Sequence, residues 1–209
     1  MLLAFDTATA RVSVALHDGE QVVATYRADE AMRHGELLAP GIEVVLRRAG
    51  ALPLDVTAIA VGVGPGPFTG LRVGLVTART MGLALGVPVY GVCTLDVLAA
   101  EAVDAGMGHF VVATDARRKE VYLATYVDGA RTAGPDVVRP AEVVTDLPVV
   151  GRGARLYPDA FPNASDPELP DAAVLCRVVV EERFELLDPK PLYLRRPDVM
   201  EPTKPKRVS

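Results

Sequence analysis

"FVVATDARRKEVYLATYVDGA", residues 110–130, repeats the plan of the chain's opening. An apolar run ends at Asp115, as "LLAF" (2–5) ends at Asp6. An alternating hairpin follows and turns at Asp128-Gly129, as the first hairpin turns at Asp18-Gly19. The two spacings from aspartate to turn differ by one residue. One supersecondary unit is therefore present twice.

Working outward from these hairpins, the first copy continues with a helix over 33–50. Leu38, Ile42, Val45 and Ala49 share one face, and Gly50 stops it. Pro40 lacks an N–H, so a kink or early break is expected there. A buried strand (56–64), a helix (69–85), a strand (87–92) and a helix (94–103) follow, with Thr94 as N-cap. The second copy is cut down to a short helix (140–146) and a strand (148–153). A proline-rich stretch (157–170) and a helix from Asp171 to about Leu187 complete it. Three antiparallel strands followed by β-α crossovers do not give the even alternation of a Rossmann fold. They describe a ribonuclease-H-like lobe. The expected class is α/β, an actin-like (ASKHA) two-lobed fold with a duplicated βββαβαβα unit whose second copy is truncated. The expected divisions are residues 1–106, residues 107–195 and a flexible tail, 196–209.

The 209 residues carry 22 basic and 27 acidic side chains, a formal charge of −5. That is a poor footprint for gripping nucleic acid alone. Lys204, Lys206 and Arg207 lie in a proline-broken tail and read as a solvated end. Cys93 and Cys176 are far apart among apolar residues and read as small buried residues. "MLLAFDTATA" lacks a basic start and meets Asp6 too early for a signal peptide. No uncharged apolar run reaches the length of a membrane span. A cytoplasmic location, with no membrane partner, is expected.

"GVGPGPFTGLRVG" (62–74) joins strand to helix and invites comparison with phosphate loops. It has no lysine and no G-x-G-x-x-G, and Pro65 and Pro67 remove two N–H donors. In the helix behind it, Gly70, Gly74, Ala78 and Gly82 form a ridge with almost no side chain. Gly74 and Gly82 together cost roughly 2 kcal/mol of helix propensity. Close approach of another element would offset that. Spacing alone leaves open whether that element is in the same chain or in a partner.

In two-lobed proteins of this architecture, the hairpin turns clamp nucleotide phosphates. Here they are "DTATAR" (6–11) and "DARRKE" (115–120). Asp6 and Asp115 are candidates to hold a metal-bound water, and Thr7 and Thr9 to touch phosphate. Neither turn has the glycines that open the backbone to phosphate, so the cleft reads as vestigial. His17, His34 and His109 are not spaced as metal ligands, and no serine sits in G-x-S-x-G.

"LLAFDTAT", "RHGELLAP", "GVGPGPFTGLRVGLVTARTMGLALGVPVYGVCTLD", "DARRKEVYLATY" and "PLYLR" together resemble the bacterial TsaB family, over roughly residues 1–195. The resemblance implies a subunit of the complex that adds threonylcarbamoyl to the adenosine next to the tRNA anticodon. It implies no catalysis by this chain, because the paired metal-binding histidines of the catalytic paralogue, TsaD, are missing. It also implies pairing with a TsaD-like subunit through helices 33–50 and 69–85. On that reading Glu36, Leu37, Gly70, Leu71, Gly74, Leu75, Ala78 and Gly82 face the partner. A TsaE-like ATPase would join, a homodimer would form when the partner is absent, and tRNA would be met only through the complex. This chain would need no cofactor, ATP being used by the wider assembly. Pro67 departs from the family's usual serine. The alternative is an ATP-dependent kinase or acyl transferase of the same fold, using Asp6 and Asp115.

Overall fold

The computed structural model describes residues 1–30 and 33–195. The expected tail with Lys204, Lys206 and Arg207 lies outside them. The first sheet contains β1 (Leu2–Asp6), β2 (Val12–His17), β3 (Val22–Ala28), β4 (Ala58–Gly62) and β5 (Val89–Val92), in the order β3-β2-β1-β4-β5. Helices α1 (His34–Ala49), α2 (Phe68–Leu85) and α3 (Thr94–Asp104) connect and follow these strands. The second sheet contains β6 (His109–Arg117), β7 (Glu120–Val127), β8 (Ala130–Val138), β9 (Val149–Val150) and β10 (Ala164–Ser165), with α4 (Arg152–Leu156) and α5 (Ala172–Val180). Its order, β8-β7-β6-β9-β10, repeats the first strand for strand. In both, the first three strands are antiparallel and the last two add in parallel. This is the duplicated, two-lobed actin-like fold expected from the sequence.

Alternation along the first sheet assigns its two faces. Leu3, Phe5, Val14, Leu16, Ile59 and Val61 pack under α1 and α2. Leu2, Ala4, Ala15 and Ala60 face the other way, against Val174, Leu175 and Val178 of α5. Alanines on that face let α5 lie close. The helix ending the second copy thus covers the first sheet. The division expected at 106/107 falls between α3 and β6, but it does not divide the packing. Downstream of α5, Leu187 exchanges backbone bonds with Gly91, and Leu192 N–H donates to the Val63 carbonyl at 2.8 Å.

Several local expectations are corrected. α1 runs through Pro40, which sits on the exposed face where water can replace the missing donor. Thr94 is the first residue of α3, with Cys93 at the N-cap, because the Thr94 hydroxyl is engaged elsewhere. The helix expected at 140–146 is a single 3-10 turn, Pro140–Glu142. The strand expected at 148–153 is two residues long, since Arg152 already begins α4. α5 stops at Val180, not near Leu187. Glu182 has φ 51°, and the chain turns extended to pair with β5.

Candidate functional site

The turn after β1 is clamped by the starts of three helices. Asp6 is fully buried. Its Oδ1 accepts the Ala8 N–H at 2.7 Å, and its Oδ2 accepts the Thr94 hydroxyl of α3 at 2.8 Å. Burial pushes its carboxyl pKa up, and the hydrogen bonds and His34 only partly oppose this. A Cβ on Gly62 would run into the Asp6 carboxylate, so β4 needs glycine there.

Thr7 enters the hydrogen-bond ladder of α2. Its hydroxyl donates to the Gly70 carbonyl at 2.8 Å and accepts the Gly74 N–H at 3.1 Å. In an uninterrupted helix those two backbone groups would bond to each other. His34, first residue of α1, lies with Nε2 2.7 Å from the Thr9 carbonyl. That oxygen only accepts, so the ring donates.

This geometry turns the glycine ridge inward. A Cβ on Gly70 would stand 2.5 Å from the Thr7 carbonyl oxygen, and one on Gly74 would stand 2.5 Å from Thr7 Oγ1. One on Gly82 would strike Val89. Leu71, Leu75 and Ala78 are buried in the same core. So Gly70, Leu71, Gly74, Leu75, Ala78 and Gly82, expected to face a partner, pack against their own turn and sheet. Glu36 is exposed and Leu37 half-buried at the start of α1. The outward side of α2 carries Arg72, Val76, Arg79, Thr80 and Leu83. Val76 and Leu83 are 62% and 86% exposed. Their i, i+7 spacing is the signal that would have found this second stripe.

The two lobes meet at a cleft of about 190 Å³, lined by Thr9, Pro67, Thr114, Asp115, Arg117, Arg152 and Glu168 among others. Of the four expected nucleotide residues, only Thr9 and Asp115 come together here. Asp6 and Thr7 lie behind the wall, with their polar atoms taken. Asp115 accepts the Arg117 N–H at 2.8 Å, and the Arg117 guanidinium stands 3.4 Å from it. Arg152 is paired with Glu168 at 3.3 Å. The Thr114 hydroxyl is buried and has no hydrogen-bond partner among the described residues. These residues do not fit a nucleotide. A second space of about 410 Å³, lined by Gly66, Phe68, Ala116 and Tyr122 among others, adjoins the cleft at Pro67 and Arg117. Asp6, the first turn's candidate for holding a metal-bound water, is locked inside.

Beside the cleft, "PLYLR" (191–195) straps the lobes together. Tyr193 stacks on Phe68 at 5.4 Å, Arg72 lies 3.4 Å over the Phe68 ring, and Arg72 Nε donates to the Tyr193 hydroxyl at 3.0 Å. Arg195 forms an ion pair with Glu120 of β7. Cys93 and Cys176 are free and buried, and burial raises each thiol pKa to about 12. Among the described residues, no three His, Cys, Asp or Glu side chains form a group that could hold a metal ion, and no helix is long and apolar enough to cross a membrane.

Fold and site together define a two-lobed actin-like protein whose first-turn aspartate is buried away from the cleft between the lobes. The profile of the family described as TsaD, tRNA N6-adenosine threonylcarbamoyltransferase, matches residues 28–164. An uncharacterized protein of Mycobacterium tuberculosis is 41% identical over 207 residues, 94% of this chain and 92% of that protein. The tRNA threonylcarbamoyladenosine biosynthesis protein TsaB of Escherichia coli is 33% identical over 171 residues, 76% of this chain and 74% of that one. The solved structure of YeaZ from Pseudomonas aeruginosa superposes with a TM-score of 0.80 at 30% identity, covering 92% of this chain and 99% of that one. The chain belongs to the TsaB family.

Proposed function

We propose that this chain is a non-catalytic subunit of the complex that attaches threonylcarbamoyl to the adenosine beside the tRNA anticodon. Its task is to dock a TsaD-like catalytic subunit on the outward face of α1 and α2. A TsaE-like ATPase joins the assembly, and the same face makes a homodimer when the partner is absent. The observation that carries the reading is the pair Val76 and Leu83. These two branched apolar side chains stand in solvent, two turns apart, on a helix whose other face is fixed by the core. The commitment of Asp6 to Thr94 and Ala8 supports a non-catalytic role over the kinase or acyl-transferase alternative.

The test mixes the purified chain with TsaD-like and TsaE-like partners, and scores assembly and tRNA modification. Val76→Glu/Leu83→Glu should melt within about 1 kcal/mol of the parent, because both sites are exposed. Pairing should weaken at least about ten-fold, since a charge replaces an apolar anchor. Normal pairing by that variant, or steady ATP turnover by the isolated chain that is lost on Asp115→Ala, would sink the proposal.

A further inference from the structure

The hairpin between β6 and β7 breaks a local rule. Arg117 pairs with Glu120, so the loop is two residues long, Arg118 and Lys119. Their φ values are 55° and 61°, the signature of a type I′ turn. Asn-Gly or Asp-Gly takes that shape with least strain. The opposite end of β7 does so. There Asp128 and Gly129, at φ 48° and 81°, join Val127 to Ala130. Arg117, just before the first turn, also has φ 62°. Three consecutive side chains thus occupy the left-handed region, and all three are exposed cations. Strain retained where a common residue pair would relieve it points to a use for the side chains.

A groove of about 770 Å³ opens under this turn. Arg118 and Lys119 are among the residues that line it. Arg139 stands near them, because Val138 pairs with Val121 next to Glu120. Tyr157 and Pro158 supply a flat apolar wall, and Asp159 is the one carboxylate among the lining residues. Glu142 approaches Arg139 at 3.8 Å.

We infer that this groove holds the phosphodiester backbone of an RNA, with an unpaired base against Tyr157. The inference rests on the proposed function, which makes RNA the substrate of the assembly, and it departs from the expectation that tRNA is met only through the complex by giving this chain a low-salt contact of its own. The space is nucleotide-sized, beyond what a lone phosphate fills. The recognition elements are side-chain cations and a ring, the means by which single-stranded RNA is held. In a chain of overall charge −5, the lining of this groove gathers three cations against one carboxylate.

The test measures binding of the full chain to a labelled tRNA transcript across a salt series. Arg118→Asn/Lys119→Gly supplies favoured turn residues, so the variant should stay folded, which a thermal melt beside the parent checks. Its affinity should fall about ten-fold and its log–log salt slope by about two. Arg139→Gln, which leaves the turn intact, should lower the slope by about one. Wild-type protein that fails to bind at low salt, variants that bind as the parent does, or millimolar AMP that displaces the RNA would each overturn the inference. Pairing with the catalytic subunit is scored on the same samples. A chain that binds RNA but never pairs sinks the proposed function alone, and one that pairs but binds no RNA sinks the groove alone.

Discussion

Asp6 and Asp115 occupy equivalent places in the two copies and have opposite surroundings. Asp6 ends β1 beneath α1, α2 and α3, and both its oxygens are spent inside the protein. Asp115 lies near the end of β6, half-buried, held by Arg117 and facing the cleft. The difference comes from the crossovers downstream of each hairpin. The first copy carries helices of 16 and 18 residues there, where the second has a 3-10 turn and a five-residue helix. Full helices bring their N-terminal turns down on the first aspartate. Without them, the second turn keeps its charges at the surface. Duplication has thus produced one turn buried within the fold and one whose charges stay at the surface.

The strongest way to break the first turn is Gly74→Leu. The new side chain would displace Thr7 from the α2 ladder and overpack the core. A loss of about 3–5 kcal/mol is expected, read as an earlier urea midpoint. A variant that melts like the parent would mean that the ridge does not rest on Thr7. Next comes the aspartate pair itself. Asp6→Ala leaves a buried N–H and a buried hydroxyl without acceptors and should cost about 2–4 kcal/mol. Asp115→Ala, at a half-exposed ion pair, should cost less than about 1 kcal/mol. Equal losses would erase the contrast.

The smallest effect sharpens it. Burial raises the Asp6 pKa above 3.8, so the folded chain holds that proton more tightly than the unfolded chain does. Between 3.8 and the raised value the folded state binds more protons, and this contribution to stability is lost as pH rises. Asp6→Asn removes it. Wild type should therefore gain on the variant as pH falls toward 3.8, in urea melts of both proteins at stepped pH. Parallel pH profiles would contradict the assignment.

Much of this contrast was legible in the sequence. The repeated hairpins gave the duplication, and the long helices were placed to within a residue or so, at His34–Ala49 and Phe68–Leu85. The four-residue spacing of Gly70, Gly74, Ala78 and Gly82 marked a close approach, but spacing names a face and not its neighbour. Thr7, sixty-odd residues away, supplied the missing contact. The short strand at Ala164–Ser165 carries too few residues to show alternation. The turn at Arg118-Lys119 is hidden for a different reason. Its residues are the ones local preference argues against, so the strain shows only in the backbone.

The return of α5 to the first sheet has a consequence for how the chain emerges from the ribosome. Leu2, Ala4, Ala15, Ala60 and Val92 are all synthesised before Ala172, the first residue of the helix that covers them. Some eighty residues separate Val92 from Ala172, roughly 4–16 s at about 5–20 residues per second. For that interval the earlier half presents a bare apolar face. Its neighbour in space is not yet made, so the last helix, and not the first lobe, sets the moment at which the protein can close.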